Sequence, residues 1–202
     1  MQRIKHFART IISWSIIIFT AAKTSLLKTN KGRWKKVSQE IPHWDDRNRA
    51  IAGFIPSGVS VLDLGSGAQT MRHHLKPGCQ YQPCDIVQSS PDIIHCDFNS
   101  GIYPVITTKY DYVICSGVFE YMRDPARFIF EIRNYGRKIF FTFNPSNLKQ
   151  MLVKRLGCGW VNHLTEPQLE QLFASAALSW RVIHRKNTSP EVEEIIYELI
   201  PE

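Results

Sequence analysis

The segment Val61-Leu62-Asp63-Leu64-Gly65-Ser66-Gly67-Ala68-Gln69-Thr70 constrains the fold more than any other. A short apolar run carries a carboxylate at Asp63, and Gly65 and Gly67 then turn the backbone tightly. Glycine reaches backbone conformations closed to other residues and lets N–H groups approach a ligand. That combination builds a ligand cradle at the carboxyl end of a buried parallel strand, where the acid can grip a ligand cation or hydroxyl.

The rest of the chain supplies the alternation such a strand needs. Residues 44–55 read as a helix broken by Pro56-Ser57-Gly58, followed by strand 60–64 and a helix over 70–75 that Pro77-Gly78 stops. Strands follow at 80–85, 93–96 and 110–116, then a helix at 125–135 with Phe128, Ile129 and Ile132 inward, then strand 138–143. After a loop-rich stretch, 144–164, Thr165-Glu166-Pro167-Gln168 is a capping box for a helix running to about Ala177. Strands 178–185 and 194–200 close the chain around a turn at 187–190. The expectation is an α/β fold: a Rossmann-like, seven-stranded, mostly parallel sheet with helices on both faces and a C-terminal antiparallel hairpin.

Charge divides the chain in two. Residues 1–36 hold nine Lys/Arg and no acid, although the whole chain has a net charge of only +7. The basicity therefore belongs to an N-terminal arm, 1–36, and not to the domain, 37–202. A basic domain face for nucleic acid is not indicated. Within the arm, 10–22 is an uncharged, mostly apolar run too short to span a bilayer, which takes about 20 residues. Three readings stand for it: a segment resembling a signal peptide, a helix lying in an anionic membrane surface, or a helix packed on the domain or a partner. The five cysteines are odd in number and lack C-x-x-C spacing, so neither a disulfide framework nor a metal site is expected. They read as small core residues of a cytoplasmic protein, with membrane association through the arm as a further option.

Four strand ends carry groups suited to one ligand. The first gives Asp63, Gly65 and Gly67; the second gives Asp85, 22 residues after Asp63. A carboxylate there meets the hydroxyls of a ribose. The third gives Asp97 and Phe98, suited to the edge and face of an adenine, and the fourth gives Ser116 and Gly117 followed by Phe119-Glu120-Tyr121.

On these motifs the chain resembles class I S-adenosylmethionine-dependent methyltransferases over roughly residues 44–200. Val-Leu-Asp-Leu-Gly-Ser-Gly (61–67) looks like the family's first motif, Tyr81–Asp85 like its acidic second strand, and His95-Cys96-Asp97-Phe98 like its adenine motif. The run 110–125 is similar to its fourth-strand signature. The resemblance implies S-adenosylmethionine as cofactor, with Asp63, Gly65, Ser66 and Gly67 around the methionine part. It implies Asp85 and Ile86 at the ribose, Asp97 and Phe98 at the adenine, and Ser116 beside them. Two positions depart from the pattern: Gln69 stands where a third glycine is common, and Tyr121 where histidine is common. A side chain at 69 could crowd the cofactor or contact it.

A hydroxyl nucleophile benefits from a general base, whereas an amine needs only to be neutral. His163, in the loop after strand five, is the first candidate base, and Glu120, Tyr121 and Asp124 follow. Trp160, Phe143, Phe119 and Tyr121 are candidates to line an acceptor pocket. The expected acceptor is a small molecule, a glycan or a lipid-linked compound. The alternative is a catalytically inactive methyltransferase-like partner protein, for which Gln69 and Tyr121 speak. A nicotinamide dehydrogenase fits poorly, because its fingerprint needs glycine where Thr70 stands.

Overall fold

The computed structural model describes residues 15–26, 42–147 and 150–202. The expected basic linker and the start of the apolar run lie outside the described residues. A helix covers 15–26 (α1). It is followed by α2 (Pro42–Gly53), β1 (Ser60–Leu64), β2 (Gln80–Asp85), β3 (Ile94–His95) and β4 (Tyr110–Cys115). Then come α3 (Pro125–Ile132), β5 (Gly136–Phe143), α4 (Leu152–Gly157), α5 (Glu166–Ser175), β6 (Leu178–Ser189) and β7 (Val192–Pro201). The sheet order is β3-β2-β1-β4-β5-β7-β6. β1 to β5 pair in parallel, while β7 is antiparallel to both β5 and β6. Strand order reverses between β1 and β4, and the carboxyl ends of those strands open the crevice where such sheets bind ligands.

The two sheet faces carry separate cores, as the period of two dictates. Val61, Ile114, Phe140 and Ile196 face α2. Leu62, Leu64, Val113, Cys115, Phe141 and Tyr197 face α3 and α5 with Phe128, Leu169 and Phe173. Caps follow the sequence: Arg127 N–H donates to Asp124 Oδ1 (3.0 Å) ahead of α3, and Thr165 N–H donates to Gln168 Oε1 (2.9 Å) ahead of α5.

Several expectations need correction. The helix expected at 70–75 is a 3-10 turn, Thr70–His73, because Pro77-Gly78 leaves no room for a full crossover helix. The hairpin strands are longer than expected and run to a turn at 190–191, with register shifts near 182–184 and 187–189 absorbing the mismatch. The stretch 144–164 contains α4, and Arg155 on α4 is fully buried. Its guanidinium donates to the carbonyls of Asn144 (3.0 Å), Pro145 (3.2 Å) and Asn162 (3.2 Å) and to Gln150 Oε1 (2.9 Å). A segment without strands is thus held by one buried cation. Cys84 and Cys96, expected as free thiols, form a disulfide, because the parallel pairing of β2 and β3 brings their Cα atoms to 6.1 Å.

α1 rests on the domain through one face. Ala21 and Thr24 are buried, and Ile17 lies so close to Gly157 of α4 that a Cβ there would come within 2.9 Å of its Cγ2. No helix among the described residues is long and apolar enough to cross a membrane.

Candidate ligand-binding cleft

Two cavities meet at the carboxyl edge of the sheet. The first, about 150 Å³, is walled by the glycine turn, by Asp85 and Ile86 after β2, by Asp97 and Phe98 after β3, and by Ser116 to Val118 after β4. The second, about 540 Å³, lies between α2, the Phe119–Tyr121 turn, Asn144, Cys158, Trp160 and the distal half of the β6–β7 hairpin. They share Trp44, Arg47, Gly117 and Tyr121 as a common wall. The second volume suits an ordinary small-molecule site.

Local chemistry fixes the first cavity's floor. Gly65 has φ 76°, and a Cβ there would sit 2.2 Å from Val118 Cγ2, so both conformation and space demand glycine. Gly67 N–H donates to Asp85 Oδ2 (2.8 Å) and Val87 N–H to Asp85 Oδ1 (2.8 Å), so this carboxylate holds the glycine turn and β2 together. Ser66 Oγ is buried with no hydrogen-bond partner, an open position that a bound polar group would fill. Asp97 accepts from Ser100 Oγ (2.9 Å), which fixes the turn that presents Phe98. Phe98 packs against Tyr103 and Phe128 (centroids 5.3 and 5.2 Å) and still lines the cavity.

Asp63 is buried and accepts from Tyr81 Oη–H (2.6 Å). Burial pushes its carboxyl up to about 7, with the Asp85 charge adding to the shift and the Tyr81 bond opposing it. Glu120 is also buried. Its Oε1 accepts from Asn144 N–H (2.9 Å) and Asn144 Nδ2 (2.7 Å), while its Oε2 has no partner. Burial holds it above the usual carboxylate range.

No family model matches the chain, and no curated protein matches it in sequence. Solved structures do. One is a 1,6-didemethyltoxoflavin-N1-methyltransferase of Burkholderia thailandensis with 1,6-didemethyltoxoflavin and S-adenosylhomocysteine bound. It is 14% identical, at a TM-score of 0.57 over 79% of this chain and 79% of that one. A second is the magnesium protoporphyrin IX methyltransferase of Synechocystis PCC 6803 with bound S-adenosylhomocysteine, 14% identical at 0.56 over 85% and 94%. A third is the cyclase SpnF, 14% identical at 0.59 over 78% and 80%. The chain has the class I methyltransferase fold.

Within that fold, Asp63, Gly65, Ser66, Gly67, Asp85, Ile86, Asp97, Phe98 and Ser116 all come together around the first cavity. Gln69 does not enter it. Its backbone adopts the left-handed conformation (φ 58°) that glycine adopts easily, and its side chain turns away to Ser90 Oγ (3.0 Å) and Arg72 (2.8 Å). Tyr121 lines both cavities and Glu120 the second. His163 lines neither; its Nδ1 accepts from Arg155 Nε (3.3 Å), and partial burial with the Arg155 charge lowers its pKa. Trp160 lines the second cavity, whereas Phe119 and Phe143 are fully buried in the core, 5.3 Å apart.

From α2, sequence reasoning considered only Trp44, as a cover for the cofactor or a packing residue, and missed Arg47 and Asn48. Trp44, Arg47 and Asn48 sit at i, i+3, i+4 spacing and face the cleft together. Asn48 Nδ2 donates to Thr70 Oγ1 (2.7 Å), its Oδ1 accepts from Ser116 Oγ (3.1 Å), and Arg47 pairs with buried Glu194 (2.8 Å). That spacing was visible in the chain. The reach of His184, Lys186 and Glu194 from the hairpin was not. Among the described residues, no group of three His, Cys, Asp or Glu side chains could hold a metal ion.

Proposed function

We propose that the chain binds S-adenosylmethionine in the first cavity and passes its methyl group to a hydroxyl or amine of an acceptor seated in the second. The observation that carries this reading is the common wall of Trp44, Arg47, Gly117 and Tyr121 between two cavities, one of which is floored by acids on three successive strand ends. The orphaned Ser66 hydroxyl fits a polar ligand group seated on the turn, whose close packing on Val118 requires glycine at position 65. When bound, the cofactor supplies an electrophilic methyl on a sulfonium. Asp63 and the glycine turn hold its amino-acid part, Asp85 takes the ribose hydroxyls, and Asp97 with Phe98 holds the adenine. Trp44 and Tyr121 close the junction and exclude water.

Glu120 is the base this reading favours over His163. Its free oxygen is buried, it lines the second cavity, and burial raises its affinity for a proton above that of an ordinary carboxylate. Tyr121 orients the acceptor beside it. The inactive-partner reading loses the argument drawn from Gln69, because that side chain points away from the cleft. The acceptor remains a small molecule, a glycan or a lipid-linked compound.

Calorimetric titration with S-adenosylmethionine and S-adenosylhomocysteine tests the reading, with wild type beside Asp85→Asn and Asp85→Ala. Micromolar binding that both variants lose supports it. Wild-type protein that binds neither compound would sink it.

A further inference from the structure

α1 has two faces of different character. Its inner face, Ile17, Ala21 and Thr24, packs on the domain. Its outer face presents Ile16, Phe19 and Leu26 at i, i+3 and i+10, which are 61%, 73% and 82% exposed, with exposed Lys23 at i+7 in the same stripe and Ile18, 57% exposed, on the flank. Scattered apolar side chains on a surface need no explanation, but three large ones on one helical stripe around a single lysine do. The element beneath, α4, starts beside a further exposed apolar pair, Met151 and Leu152.

Charge decides what covers this face. Lys23 is the one charged residue of α1, and the 36-residue segment around it holds nine Lys/Arg and no acid. A second copy of the chain would bring its own nine cations against these. An anionic bilayer satisfies both features: acyl chains take the apolar stripe and lipid phosphates take the cations.

We propose that α1 is a membrane-docking helix that lies in the plane of an anionic bilayer, with Ile16, Phe19 and Leu26 inserted and the domain carried on its opposite face. Gly157, on which Ile17 rests, is followed directly by Cys158, and Cys158 and Trp160 are walls of the second cavity. Docking therefore holds that cavity close to the lipid surface. The inference stands apart from the cofactor reading, since it uses no ligand in either cavity.

The test is co-sedimentation of the full chain with vesicles of phosphatidylcholine alone or with about a third phosphatidylglycerol, at 0.1 M and 0.5 M salt. The expected result is binding to the anionic vesicles only, weakened by salt. A triple variant Ile16→Ser, Phe19→Ser, Leu26→Ser is expected to lose at least about tenfold in partitioning at an unchanged Tm, because its packed face is untouched. Equal partitioning of wild type and variant, or no wild-type binding to anionic vesicles, would overturn the proposal. So would a lipid-free dimer that the triple variant turns into a monomer, because the face would then belong to a second copy.

Discussion

Asp63 makes the cofactor reading testable through pH. With the cleft empty, burial holds this carboxyl at about 7. A cationic amino group against it favours the ionised form, so binding must first remove a proton that the empty site retains in acid. If the complex takes only the carboxylate, the cost at a given pH is RT ln(1 + 10^(7 − pH)). Between pH 5.5 and 7.0 that difference is about 1.6 kcal/mol, or roughly fifteenfold in Kd. The ligand's own α-amino group ionises near 8 and stays largely charged over this interval. Calorimetric Kd values for S-adenosylhomocysteine should therefore tighten about fifteenfold from pH 5.5 to 7.0 in wild type. Asp63→Asn should bind more weakly and show a flat profile. Stability has the opposite sign: from about pH 4 to 7 the empty fold binds a proton that the unfolded chain has released. The Asp63 contribution therefore lowers the stability of the empty protein as pH rises across that range, and bound ligand removes the decline. A flat wild-type Kd profile, or an equal slope in Asp63→Asn, would refute the argument.

Arg155→Met should cost about 3–5 kcal/mol, since it strips partners from buried carbonyls of Asn144, Pro145 and Asn162; a thermal melt should show a fall of about 6–20 °C. Reduction of Cys84–Cys96 reopens a 12-residue separation and should remove about 3 kcal/mol, read by urea titration with and without reductant. Because Cys96 lines the first cavity between Asp85 and Asp97, reduction should also weaken cofactor binding measurably. Glu120→Gln keeps an oxygen for Asn144 but cannot take a proton; with a hydroxyl acceptor, kcat should fall about a hundredfold or more at unchanged cofactor affinity.

The parts of the fold that were legible from sequence are those whose signal is local. The β1 strand and its glycine turn are written in consecutive residues, and so is the Thr165 cap. The strand-end acids are equally visible, because each sits where an apolar run stops. The first cavity is built almost entirely from such positions, and for that reason it was readable. The second cavity is built from pairings that no window of sequence contains. Glu194 reaches it only because β7 lies antiparallel between β5 and β6, and Arg47 meets Glu194 across 147 residues. Cys84 and Cys96 looked like unrelated small residues until β2 and β3 aligned in register. Arg155 carries no local signal of its role, yet it is the cation around which that loop folds. The same division runs through the chemistry. Groups implied for the cofactor lie on the strands' own carboxyl ends, where any parallel sheet of this order gathers them. Groups available to the acceptor come from α2, the segment clamped by Arg155 and the hairpin, elements that meet only in the folded chain. On the two-cavity reading, substitutions at Trp160, His184 or Lys186 should change which acceptor is used while leaving cofactor affinity in place.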